Sequence, residues 1–296
     1  NTGPTFRGTP GDRPRMSLDR TNLALRVLVA IIGIPLILFL LLTETWGVVA
    51  LAAVLSYLGA IEWADMTGLR KTPVLYGLAV VGTIALVVVG YIQRANLWSA
   101  TVAAITVLAF VGTLVSRWKE HGVIRPLGAT IAGVVYVGFF ALMIPIRRLQ
   151  DGDALLVSLL FMIWLCDTAA YFGGSLLGRH PLAPSISPKK SFEGAIFGFF
   201  GSIAGGVVGW LLFRPTTFIM AEFAFLGAAI GIVGQVGDLA ESAVKRETGI
   251  KDSSRLLPGH GGVLDRFDSL LFALPAVWFW LQTRAMLWGL VITPSF

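Results

Sequence analysis

The chain is predicted to be all-α: a polytopic integral membrane protein with about nine transmembrane helices. Three observations predict this. Hydrophobic residues make up 55% of the 296 residues and charged residues only 14%, against about 25% charged in a typical soluble domain. The mean hydropathy is +0.78. The apolar residues also gather into runs of the length that crosses a hydrocarbon core, roughly 20 residues of helix.

Residues 1–15 are rich in Gly, Pro, Thr and Arg and have no apolar face, so residues 1–23 are expected to form a disordered tail, with Met16 a candidate start. No cleavable signal peptide is expected before the first span. That span lies near 24–42 and the second near 46–64, with Trp46 at its edge. Arg70 and Lys71 separate it from the third, near 73–92, and Arg94 precedes the fourth, near 97–115. Trp98 and Trp118 fall near the ends of the fourth, as interfacial aromatics do. Arg117, Lys119 and Arg125 lead into the fifth, near 127–146, and Arg147 and Arg148 close it. The sixth runs near 154–173. A long polar loop, 174–193, separates it from the seventh, near 194–213. Arg214 precedes the eighth, near 217–236, and a second long loop follows at 237–266. The ninth, near 267–290, is interrupted by Gln282 and Arg284 and ends beside Trp288.

Nine spans place Arg94, Arg147, Arg148, Arg214 and Arg284 on one side and the other 18 of the 23 Lys and Arg residues on the opposite side. The positive-inside rule puts that richer side, with the N-terminus and both long loops, in the cytoplasm, in a bacterial inner membrane. The organisation expected is an N-terminal membrane region, 24–150, and a C-terminal catalytic region, 151–296. The formal charge of +6 sits in short loops between apolar runs, which favours anionic headgroups and phosphorylated substrates over nucleic acid. The single cysteine, Cys166, rules out an intrachain disulfide and a thiolate zinc site. The small-residue stripe of Gly194, Gly198, Gly201 and Gly205 is read as a helix contact.

Polar chemistry concentrates in the two long loops. If the eighth helix continues, Asp238, Glu241, Ser242 and Lys245 fall at i, i+3, i+4 and i+7 on one face. That stripe suits a metal and phosphate site, and equally a solvated face with an internal ion pair. Further on come Lys251, then Pro258-Gly259-His260-Gly261-Gly262, then Asp265-Arg266-Phe267-Asp268. Glycines around His260 let a ligand approach backbone N–H groups. Asp265 and Asp268, at i and i+3, suit either a helix cap or a cation site. Hard oxygen donors without His or Cys clusters favour Mg²⁺ over zinc. The first loop supplies Ser187-Pro188-Lys189-Lys190-Ser191-Phe192-Glu193, an anion site at a helix start or a pair of headgroup anchors. Asp167 is a carboxylate within the sixth span, a functional hypothesis by default. Residues 173–178 have the length of a phosphate-binding loop, but Arg179-His180 replaces the Lys-Ser/Thr that such loops need.

These residues resemble the phosphatidate cytidylyltransferases. The resemblance rests on Ser242-Ala243-Val244-Lys245-Arg246, Lys251-Asp252, Pro258 to Gly262, and Asp265-Arg266-Phe267-Asp268. Asp167 to Tyr171, Ala183-Pro184 with Ser187 to Lys190, and Glu193-Gly194 resemble the family's other cytoplasmic elements. The resemblance covers about the C-terminal half and implies a Mg²⁺-dependent reaction of CTP with phosphatidate, yielding CDP-diacylglycerol and diphosphate. It implies a homodimer among membrane lipids, and a monovalent cation such as K⁺ beside the Mg²⁺. Asp238 and Asp265, with Asp268 close by, match the family's metal-binding aspartates. Lys245, Arg266 and His260 are the further catalytic candidates. Asp167, Ser187, Lys189, Lys190, Glu193, Glu241, Ser242, Arg246, Lys251, Gly261 and Gly262 are the substrate-binding candidates. Two rival readings carry their own signatures. A CTP-dependent kinase of a polyprenol or other lipid alcohol would release CDP. A cation-coupled transporter would show internal repeats, and none is found between the halves.

Overall fold

The computed structural model describes residues 20–288 except 117, 255 and 257–260, and the side chains of 20–28, 30, 118, 121 and 288 lie outside the description. The expected tail, residues 1–19, and His260 therefore lie outside the described residues. The helices are α1 (Arg20–Leu42), α2 (Thr45–Met66), α3 (Pro73–Ile92), α4 (Ala95–Val115), α5 (Trp118–His121), α6 (Ile124–Gly138), α7 (Met143–Arg147), α8 (Gly152–Leu177), α9 (Phe192–Phe213), α10 (Met220–Glu247) and α11 (Leu264–Trp288). Two short strands, β1 (Pro181–Ala183) and β2 (Ser187–Ser191), pair antiparallel between α8 and α9.

Among the described residues, eight stretches are long and apolar enough to cross a membrane: α2, α3, α4, the combined Ile124–Arg147 unit, α8, α9, α10 and most of α11. In α1 the described apolar stretch is Ile31–Leu42. The protein is an integral membrane protein, as the apolar outer surface also requires. Val81, Phe110, Phe200 and Phe279 all point outward and are exposed. In water so many exposed large hydrophobics would drive aggregation; in a bilayer they face lipid.

The fifth span is not one continuous α-helix. It tightens into a 3-10 turn over Phe139–Leu142 before α7. Pro145 has no N–H to donate to the carbonyl four residues back. The buried side chains of Phe140, Met143 and Ile144 anchor the broken segment in the core. Non-helical backbone at this depth is tolerated because protein, not lipid, surrounds it. The N-terminal core also holds Trp63, whose Nε1 donates to the Ala129 carbonyl at 2.9 Å.

The α8 and α9 helices pack against each other through the glycine stripe. A Cβ at Gly201 would lie 2.5 Å from the Leu165 carbonyl oxygen, and one at Gly205 would lie 2.6 Å from that of Phe161. Only glycine lets the backbones approach this closely, so the helix-contact reading of the stripe holds. Cys166 is a free, buried thiol in the same interface.

Both long loops are shorter than expected. The first loses residues 174–177 to α8 and folds 181–191 into the hairpin. The second loses 237–247 to α10 and 264–266 to α11. Polar residues at the ends of spans read as loop by hydropathy, yet their backbones continue the helical hydrogen bonding past the apolar run.

Candidate active site

The continuation of α10 to Glu247 puts the Asp238–Lys245 stripe on one helical face, directed at the start of α11. Lys245 is the bridge. Its Nζ donates to Glu241 Oε2 at 2.8 Å and to Asp265 Oδ1 at 2.6 Å. Glu241 is 1% exposed, and its Oε1 is buried without a hydrogen-bond partner. Asp238 reaches the other way: its Oδ2 pairs with Lys190 from β2, and its Oδ1 accepts from Ser242 at 3.4 Å. Three separate elements, the hairpin, α10 and α11, thus meet through charged side chains.

Asp265 is held more firmly than a cap. Its Oδ2 accepts from the Ser253 amide at 2.8 Å, the Ser253 hydroxyl at 2.9 Å and the Gly262 amide at 2.8 Å. Among the described residues its Oδ1 accepts from Lys245 alone, which leaves a lone pair for another ligand. Asp268 accepts from the Ser269 amide at 2.6 Å. The Asp238 charge acts on Asp167, Glu241 and Asp268, and that of Asp265 acts on Glu241, so the five carboxylates form one electrostatic cluster. Lys190, Lys245 and Arg266 are the cations that act on it. Carboxylates crowded this closely repel one another, and a divalent cation would relieve that repulsion.

The fit to such an ion is specific in one respect. Among the described residues, no three carboxylate, His or Cys side chains converge on one point. An ion here would take one or two carboxylates and complete its shell from substrate phosphate oxygens, which is how Mg²⁺ is commonly held. The orphaned Glu241 oxygen and the half-used Asp238 and Asp265 carboxylates are hard donors of the right kind.

Several other expected site residues make contacts within the protein. Glu193 accepts from the Arg179 amide at 3.1 Å, the His180 amide at 3.3 Å and His180 Nδ1 at 2.6 Å, which ties the hairpin to the start of α9. Ser191 caps α9 through the Gly194 amide at 3.1 Å. Arg246 Nε donates to the Ile186 carbonyl at 3.1 Å, docking the hairpin turn on α10. Ser187 lies in β2, and Lys189 and Lys251 are exposed. In the described part of the glycine loop the backbone meets protein groups. The Gly262 amide is directed at Asp265, and a Cβ there would lie 2.5 Å from Glu62 Oε2. Gly261 has φ +82°, the left-handed region. These glycines admit protein carboxylates to the backbone.

Two residues escaped the sequence reading. Glu62 of α2 is 3% exposed and receives the Ser253 hydroxyl at 3.0 Å, the Ser254 hydroxyl at 2.6 Å, and the Val263 and Leu264 amides at 2.9 Å each. It anchors the loop that holds Asp265. The signal was available: it is a carboxylate inside an apolar span. Tyr136 of α6 has a buried hydroxyl without a hydrogen-bond partner, within the field of Glu241, Asp268, Asp238 and Asp265. No residue pattern marked it.

The profile of the cytidylyltransferase family matches residues 24–284. The chain belongs to the cytidylyltransferase family. It is similar to the phosphatidate cytidylyltransferase of Brucella suis, 36% identical over 258 residues, covering 86% of this chain and 91% of that protein. The enzyme of the same name from Pseudomonas aeruginosa is 35% identical over 280 residues, covering 89% and 96%. That from Staphylococcus aureus is 32% identical over 255 residues, covering 84% and 95%. Family membership therefore extends over the N-terminal helices too, beyond the C-terminal half that carries the motifs.

Proposed function

We propose that this protein is a phosphatidate cytidylyltransferase, converting CTP and phosphatidate to CDP-diacylglycerol and diphosphate. The observation that carries the reading is the meeting of Lys190, Asp238, Glu241, Lys245 and Asp265 at one end of a membrane bundle, in a chain whose relatives bear that name over most of their length. Phosphatidate lies in the leaflet with its phosphate at the interface, level with this cluster. A phosphate oxygen of the lipid attacks the α-phosphorus of CTP, the bond from that phosphorus to the bridging oxygen breaks, and diphosphate leaves. The attacking group is already an anion, so no strong base is needed, and catalysis rests on positioning and charge stabilisation.

Mg²⁺, when bound by one or two of Asp238, Asp265 and Asp268, would supply charge neutralisation at the nucleotide phosphates, and a monovalent cation such as K⁺ beside it is part of the same proposal. Lys190 and Lys245 orient those carboxylates. Lys189, Arg246, Lys251 and Arg266 supply positive charge to triphosphate and lipid phosphate, and His260 a phosphate donor. The site and the N-terminus face the cytoplasm, in a bacterial inner membrane, and the working unit is a homodimer. The distribution of Lys and Arg supports the orientation. The test is diphosphate release by the purified protein, with and without phosphatidate and Mg²⁺. CDP release with a lipid alcohol would replace this reading with a lipid kinase.

A further inference from the structure

A polar cavity lies at the end of the bundle opposite the carboxylate cluster. Its volume is about 400 Å³, and Thr45, Trp46, Tyr91, Gln93, Arg147 and Arg148 line it. Thr45 opens α2 and Glu62 lies 17 residues further along the same helix, so the two sites are separated by roughly 25 Å at 1.5 Å per residue.

Three features of this cavity belong together. First, Arg147 Nε and Gln93 Nε2 are buried with no hydrogen-bond partner. Both are donors, and buried donors are normally satisfied. Second, the arginines are held in place. Arg147 Nη2 donates to the Thr43 carbonyl at 2.7 Å, and Arg148 Nη1 to the Tyr91 carbonyl at 2.9 Å. The Arg148 guanidinium also sits 4.6 Å above the Tyr91 ring, which packs on Trp46 at 5.2 Å. Third, none of the lining residues is acidic, and neighbouring Glu44 is exposed. The cavity presents guanidinium groups held in place, two orphaned donors on Arg147 and Gln93, and an aromatic wall.

We propose that this cavity binds a phosphate oxyanion, as carried by a phospholipid headgroup of the leaflet facing away from the catalytic site. Arg147 Nε and Gln93 Nε2 donate to phosphate oxygens, the Arg147 guanidinium supplies charge, and Trp46 and Tyr91 pack beside the glycerol region. An ordinary interfacial anchor would direct its guanidinium to water and leave no donor buried. The bound headgroup joins the ends of α2, α3 and α7 and so stabilises the N-terminal helices. The site is independent of the proposed reaction, since it lies at the far end of the bundle from the carboxylates.

Native mass spectrometry of the full-length protein in detergent, titrated with phosphatidylglycerol, tests the assignment. Occupancy of the first bound lipid should fall about tenfold in Arg147→Gln, the scale of losing a charge-assisted hydrogen bond, and less in Gln93→Leu, which deletes only a neutral donor. Diacylglycerol, with no phosphate, should not compete. Displacement of the lipid by millimolar inorganic phosphate would identify free phosphate as a ligand, and failure to displace would identify the lipid headgroup. Gln93→Leu carries the test if Arg147→Gln does not fold. Equal lipid retention by the variants and the parent, equal competition by diacylglycerol, or a changed oligomeric state with unchanged lipid binding would each overturn the proposal.

Discussion

Glu62 Oε2 accepts the backbone N–H of Leu264 at 2.9 Å, so a carboxylate near the end of α2 caps α11, 202 residues later in the chain. The same carboxylate receives Val263, Ser253 and Ser254. It thereby fixes the loop whose Ser253 and Gly262 groups pin Asp265. Glu62→Gln would replace one acceptor oxygen with an NH₂ facing donors. Charged hydrogen bonds of this kind contribute about 1.5–3 kcal/mol each. The expected loss is about 2 kcal/mol or more, with turnover falling alongside it. Thermal unfolding in detergent and diphosphate release check both.

Lys245 stands between two carboxylates, and removing it leaves both without their shared cation. Breaking a buried pair costs about 3–5 kcal/mol. Lys245→Met should lower stability by that order and reduce turnover at least a hundredfold. Adding Glu241→Gln should restore part of the stability and none of the activity. A double variant as active as the parent would remove Lys245 from the site.

Asp238 is half-exposed and bonded to Lys190, whereas Asp265 is nearly buried under four donors. Asp238→Asn should therefore leave the melting temperature nearly unchanged while turnover falls about 10²–10³-fold, the scale of losing one electrostatic group at a reacting centre. Asp265→Asn should lower both. Turnover of either variant plotted against Mg²⁺ concentration tests the ligand assignment, and a curve superimposable on that of the parent would end it.

Gly262→Ala places a methyl group against Glu62 and Ser253. Overpacking of this kind costs typically about 1–3 kcal/mol. Because the amide bound to Asp265 must shift, activity should fall with stability. Gly77→Ala is the control: like Gly262 it has no left-handed backbone, and nothing lies within 4 Å of the added carbon.

At the far end, Asp151 Oδ2 accepts from the amides and hydroxyls of Thr216 and Thr217 at 2.8–3.0 Å. Partial burial would raise its pKa, but these hydrogen bonds outweigh it and hold the carboxyl below its ordinary value. The folded pKa is the lower one, so the stabilisation is complete above the unfolded value, about 3.9, and is lost as pH falls through the folded one. Asp151→Asn should flatten the melting temperature in that acid window and lower it at neutral pH. Melting curves from pH 7 down to pH 3 decide it.

Membrane character and the approximate positions of the spans were legible in the sequence. Hydropathy is a sum over neighbours in the chain, and residue spacing along a helix survives folding. The i, i+3, i+4, i+7 stripe from Asp238 to Lys245 was readable for that reason. The hairpin was not, since Pro181–Ala183 and Ser187–Ser191 carry no apolar alternation and depend on Glu193 and Arg246 for their place.

What only the tertiary structure decided is which polar groups satisfy one another. Lys245 bridges Glu241 and Asp265, Lys190 meets Asp238, and Glu62 closes the loop from the other half of the chain. Each buried carboxylate must find donors, and several suitable donors exist in the sequence. The choice among them follows from how the apolar helices pack, because that packing sets which helix ends lie within hydrogen-bond reach.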